Sequence, residues 1–167
     1  MARLYLAGGL FNAGERLHNL HLEQHLKALG HEVILPQREA LLFRKADGTF
    51  DLGGVVADCR EKCSGAGTLC VACLDGTDAD SGTAVEYGMA ISATGNAITY
   101  RTDFRTAPEH ELGANAMFKA RRTEHVYLPC FFTELGQTGA FYRELAQSIH
   151  EAAERLSPAA LQLGAAK

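Results

Sequence analysis

The chain has 167 residues, of which 47% are hydrophobic and 22% charged, and its formal net charge is −4. That length can bury a core without disulfides, and the acidic balance gives no electrostatic case for nucleic acid or an anionic membrane. A small molecule is the natural partner. The apolar runs are too short for a membrane span, and "MARLYLAGGLF" is too short and glycine-rich for a signal peptide, so the expected location is the cytoplasm.

In chain order, "RLYLAG" (3–8) reads as a short buried strand ending in a glycine turn. From 15 to 29, "ERLHNLHLEQHLKAL" has helical composition, with Leu22, Leu26 and Leu29 on one face and Gly30 as its stop. "HEVILP" (31–36) is a second strand closed by Pro36, followed by a loop, "QREALLFRKADGTFDLGG". "VVADCREKCSGA" (55–66) reads as a helix and "TLCVACLD" (68–75) as a third strand buried on both faces. The helix "TAVEYGMAISAT" (83–94), a fourth strand "NAITYRT" (96–102), a fifth at "HVYLP" (125–129) and a helix over 138–156 complete one domain. Residues 157–167 read as a frayed tail. Alternating strands and helices imply βαβ units and a parallel sheet with helices on both faces. Ligands bind such sheets beyond the carboxyl ends of the strands. The segments there are "GGLFNAG", "QRE", "DGTDADSG" and "TDFR".

The five cysteines (Cys59, Cys63, Cys70, Cys73, Cys130) are an odd count and suggest no disulfide framework. "CVAC" matches C-x-x-C but lies within an apolar run, so it reads as core strand. A redox pair needs an exposed helix N-terminus. The histidines lack metal spacing with a carboxylate partner, and no metal or cofactor is expected.

"AGGLFNAG" is neither G-x-G-x-x-G nor a phosphate loop, because Gly8 and Gly9 are adjacent and no G-K-[ST] follows. The two glycines instead let the backbone and Phe11 approach a flat ligand. Four acidic residues gather in "DGTDADSGTAVEYGMA" (75–90). Thr83-Ala84-Val85-Glu86 fits the S/T-x-x-E capping box, in which Glu86 only bonds back to the helix start. The other reading is a carboxylate held ionised at a helix N-terminus and suited to attack a sugar anomeric carbon. Gly82 and Gly88 leave room beside it, and Asp80 supplies the second carboxyl that glycosyl chemistry wants. Arg101, Asp103 and Arg105 read equally as a solvated ion-pair turn or as substrate contacts. Gln37 offers an amide donor and acceptor to a base, and Arg38 reads as exposed.

"YLAGGLF", "LPQRE", "LDGTDADSGTAVEYGMA", "YRTDFR" and "NAM" occur in the order of the motifs of the nucleoside 2-deoxyribosyltransferase family, which the chain resembles over roughly residues 3 to 130. The resemblance implies a flavodoxin-like domain that moves a 2-deoxyribosyl group between nucleobases through a covalent ester on a glutamate. By that resemblance Glu86 is the nucleophile, Asp80 helps fix the sugar, Tyr5 sits near the nucleophile and Gln37 contacts the base. Asn115 reaches a neighbouring subunit's sugar, with Met117 in the same motif, so a homo-oligomer is implied. The family's aspartate for the base proton falls on Cys59 here, with Asp58 one place earlier; one residue rotates a helix by about 100°. Asp58 is favoured narrowly for the proton. Two alternatives remain. One is an N-glycoside hydrolase of nucleosides or nucleoside 5′-monophosphates using the same glutamate, although the P-G-G-x lead of the phosphoribohydrolases is missing. The other is a non-catalytic module in which Glu86→Ala costs about 1 kcal/mol and nothing else.

Overall fold

The computed structural model describes residues 1–105, 114–120 and 122–157. Most of the expected tail therefore lies outside the described residues. Five strands, β1 (Arg3–Ala7), β2 (Glu32–Ile34), β3 (Thr68–Cys73), β4 (Ala97–Arg101) and β5 (Thr123–Tyr127), form one parallel sheet in the order β2-β1-β3-β4-β5. Among the described residues five α-helices cover it: α1 (Ala13–Ala28), α2 (Pro36–Glu39), α3 (Leu52–Cys63), α4 (Ser81–Thr94) and α5 (Thr138–Arg155).

Side-chain alternation along the strands divides the core in two. Leu4 and Leu6 of β1, with Val71 of β3, face Leu22 and Leu26 of α1 and Leu145 and Ile149 of α5. Tyr5 and Ala7, with Cys70 and Ala72, face the other way, onto Cys63 of α3 and Tyr87 and Ala90 of α4. The chain reverses direction across the sheet between β1 and β3, which places the switch-point crevice beyond Ala7 and Cys73.

Several boundaries differ from the sequence expectations. Pro36 does not merely close β2; it opens α2, where its missing N–H and fixed φ suit the first helical position. The expected loop after it holds that helix and a 3₁₀ turn over Ala40–Phe43. Helix α3 begins at Leu52, because the Asp51 side chain accepts from Gly54 N and so carries the helix start through two glycines. Helix α4 begins at Ser81, two residues before Thr83. Gly30 does end α1, with φ at 86°, and its N–H donates to Lys27 O at 2.9 Å. All five cysteines are free, and Cys70 is buried in β3 as core.

Candidate active site

The loop from β3 into α4 is held by the end of β4. Asp75 accepts from Thr102 N at 2.6 Å, Thr102 Oγ1 at 2.5 Å and Asp103 N at 2.8 Å. Arg101 is 6% exposed, and its guanidinium donates to Leu74 O at 2.6 Å, Gly76 O at 3.1 Å and Arg105 O at 2.9 Å. Asp103 accepts from Gly76 N at 3.1 Å and pairs with Arg105, whose hydrogen bonds hold its carboxyl well below the usual range. Arg101 is thus no solvated turn residue; it is a buried strut under the loop that carries the acidic cluster.

Asp80 terminates that loop as the N-cap of α4, its Oδ2 accepting from Thr83 N at 2.9 Å and Thr83 Oγ1 at 3.1 Å. A Cβ on Gly82 would stand 3.1 Å from the same oxygen. Because Asp80 is the cap, Glu86 is the sixth residue of α4 and takes no part in a capping box. Its carboxylate instead accepts from the Tyr5 hydroxyl at 2.5 Å. Burial raises its pKa, the charge of Asp80 raises it further, and hydrogen bonds from Tyr5 and Cys59 pull the other way. Glu86 lies beyond the first turn, where the helix dipole fades, so it is the Tyr5 hydroxyl, and not the expected helix N-terminus, that favours its charged form against burial. Tyr5 is buried and shifted far upward, so its phenol stays a neutral donor beside the carboxylate.

Helix α3 presents Cys59 to this pair, where the thiol interacts with both Tyr5 and Glu86 and burial holds its pKa above the usual thiol value. Asp58 points elsewhere. It pairs with Lys62 at 2.9 Å, which also holds Glu39 at 2.7 Å. The one-residue helical offset thus puts a thiol, and not a carboxyl, beside the nucleophile candidate.

The glycine turn after β1 is braced from beneath. Asn19 donates to Gly9 O at 3.0 Å and to Gln37 Oε1 at 3.1 Å, and Gln37 Nε2 donates to Arg16 O at 3.2 Å. Gln37 is 5% exposed, so its amide braces the turn and does not stand free for a base. Gly8 is needed for closeness, since a Cβ there would lie 3.3 Å from Cys73 Cβ. Phe11 is 80% exposed above the turn, its N–H held by Glu15 at 2.7 Å. Arg38, although half exposed, clamps Glu23 of α1 with two bonds of 2.6 and 2.7 Å.

A cavity of about 480 Å³ opens at this edge, lined among others by Gly9, Glu15, Asp78 and Asp80. Along the far side of α4, a groove of about 720 Å³ runs between Ala84, Tyr87 and Gly88 and the segment Asn115–Ala120. Asn115 there accepts from Met117 N at 3.0 Å, and Met117 is 81% exposed. The structure therefore brings Tyr5, Cys59, Asp80 and Glu86 together, puts Phe11 and the glycines at the rim, and separates Asp58 and Gln37 from them. Asn19 and Glu15 had no assigned part in the sequence reading, and Arg101 was read only as a turn residue or a substrate contact. Of these, only the N-x-x-E of Asn12 and Glu15 carried a legible signal, the capping box that starts α1.

A sheet in the order 2-1-3-4-5 with this edge is a flavodoxin-like α/β domain, here with a half-buried carboxylate at its switch-point side. The family model for nucleoside 2-deoxyribosyltransferase matches residues 4–117, and the chain belongs to that family. Among solved structures it is similar to a conserved protein from Enterococcus faecalis V583, at 20% identity and a TM-score of 0.64, over 90% of this chain and 98% of that one. It is also similar to the 2-deoxyribosyltransferase of the psychrotolerant bacterium Bacillus psychrosaccharolyticus, at 24% identity and a TM-score of 0.57, over 83% and 90% of the two chains. No curated protein matches the sequence. No helix among the described residues is long and apolar enough to cross a membrane.

Proposed function

We propose that the protein transfers a 2-deoxyribosyl group between nucleobases by double displacement, with Glu86 as the nucleophile. The observation that carries this reading is the 2.5 Å bond from the Tyr5 hydroxyl to Glu86 Oε1, which fixes the carboxylate with one oxygen bound. The other oxygen attacks C1′ as the N-glycosidic bond breaks through an oxocarbenium-like state, and the departing base takes a proton. A second base then attacks C1′ and gives its N–H proton to the group that protonated the first, the ester bond breaks, and the glutamate is released as carboxylate. Two inversions give net retention. Asp80 holds the sugar, and the glycine turn with Phe11 receives the flat base. In this reading the weak acid Cys59, and not Asp58, which pairs with Lys62, supplies the proton. The reaction needs no metal or organic cofactor.

The reading extends to a homo-oligomer in which the groove along α4 meets a second copy, bringing Asn115 and the exposed Met117 toward a neighbouring sugar. Sedimentation velocity should then show an oligomer, and a stable, fully active monomer would remove that part. Free cysteines and the acidic balance support a cytoplasmic location.

The test is chromatography of 2′-deoxyinosine incubated with and without adenine. New 2′-deoxyadenosine, absent with Glu86→Ala, supports transfer. Hypoxanthine released without a new nucleoside, with equal dependence on Glu86, assigns the site to hydrolysis. No reaction with purine, pyrimidine or ribonucleoside donors rejects both.

A further inference from the structure

On the opposite face of the sheet from Glu86, three groups from separate elements meet. A ring nitrogen of His18 on α1, the Cys73 thiol at the end of β3 and a carboxylate oxygen of Asp75 all lie within 4.8 Å of one another. The geometry points to a divalent-cation site of borderline softness, suited to zinc, with these three as ligands and an open fourth position toward the cavity above them.

Three independent features support it. First, the donor set of one imidazole, one thiolate and one carboxylate is the mixed N/S/O set that zinc accepts, and three protein ligands leave a coordination position open. Second, the groups around the ligands are already arranged to orient them. The Tyr142 hydroxyl lies 2.9 Å from His18 Nδ1, and Asp75 is fixed by the three donors from Thr102 and Asp103. With Nδ1–H donating to Tyr142, the Nε2 lone pair is the one free for a metal. It now meets the Tyr100 hydroxyl at 2.9 Å, which would give way. Third, the cavity walls carry Glu15, Asp75, Asp78 and Asp80 and, among the described residues, no lysine or arginine. A cleft of one sign concentrates counter-ions of the other.

Binding replaces the Cys73 thiol proton, which leaves to solvent, with a metal–sulfur bond.

The test uses the full chain and cobalt(II) as a spectroscopic stand-in for zinc. One equivalent of cobalt should produce visible ligand-field bands and a near-ultraviolet thiolate-to-cobalt band, and one equivalent of zinc should abolish both. Cys73→Ser should lose the near-ultraviolet band, His18→Gln should weaken binding at least tenfold, and Cys59→Ser should leave the spectrum unchanged. The circular dichroism of each variant establishes that it is folded; if one variant does not fold, the other still decides. Absence of stoichiometric binding, or an unchanged spectrum in the folded Cys73→Ser or His18→Gln chain, overturns the site. Because the readout is binding, it stands or falls separately from glycosyl transfer.

Discussion

The Tyr5 hydroxyl, on β1, donates to Glu86 Oε1 on α4 at 2.5 Å, joining residues 81 positions apart in the chain. This bond stabilises the ionised carboxylate against the burial that raises its pKa. Tyr5→Phe removes the donor, so the Glu86 pKa should climb further. The acidic limb of the pH–rate profile should move to higher pH, and turnover should fall about tenfold to a hundredfold, as expected for loss of roughly 1.5–3 kcal/mol from a hydrogen bond to a charged group. An unmoved acidic limb would contradict this role.

The same shift has a stability consequence with a definite sign. A carboxyl whose folded pKa is raised favours the folded state below its unfolded pKa, and that contribution is lost as pH rises through the folded pKa. Glu86→Gln has no such loss. Its melting temperature should equal or exceed that of the wild type at neutral pH, and the gap should close under acid. Thermal unfolding at a series of pH values reads this directly.

Cys59 and Asp58 can be separated by exchange of function. Asp58→Asn breaks an ion pair with Lys62 and should leave transfer largely intact. Cys59→Asp places a carboxyl beside Glu86 and Tyr5 and should speed donors whose bases need protonation to leave. Steady-state kinetics with a purine and a pyrimidine donor measure both. Activity that collapses in Asp58→Asn and gains nothing in Cys59→Asp would return the proton role to Asp58.

Gly9 is crowded by one side chain that has its own bonds to keep. A Cβ there would lie 2.7 Å from Glu15 Cδ, and Glu15 both completes the α1 capping box and holds Phe11 N. Gly9→Ala should cost about 1 kcal/mol through the cap and raise KM more than it lowers kcat, since it displaces the rim and leaves Glu86 in place. Urea unfolding together with kinetics checks the two parts.

Much of the fold was legible because strand and helix patterns act locally. The Leu22–Leu26 face, Gly30 and the apolar β3 run are all present where their chemistry put them. The start of α4 was misread because Thr83 and Glu86 imitate a capping box, while Asp80, three residues before Thr83, is the actual N-cap. Pro36 was read as a stop when it also suits a helix start. In the site, the motif singled out Glu86 and Asp80 as candidates, and the structure places Asp80 at the start of α4 and Glu86 against Tyr5. The inward turn of Gln37 was not legible, because its partner Asn19 lies on a different element and periodicity gives no orientation for an amide. The grouping of His18, Cys73 and Asp75 was hidden for the same reason: it exists only after α1 packs on the sheet.

The central claim is that Glu86 carries the sugar. The most direct measurement is peptide mass mapping of the enzyme incubated with a 2′-deoxyribonucleoside, without acceptor base, and quenched in acid. The account predicts a mass increment of one deoxyribosyl unit on the peptide containing Glu86, removed by adding a free base before the quench and absent in Glu86→Gln. Transfer that proceeds at full rate with that peptide unmodified, or with the sugar on another residue, would contradict it.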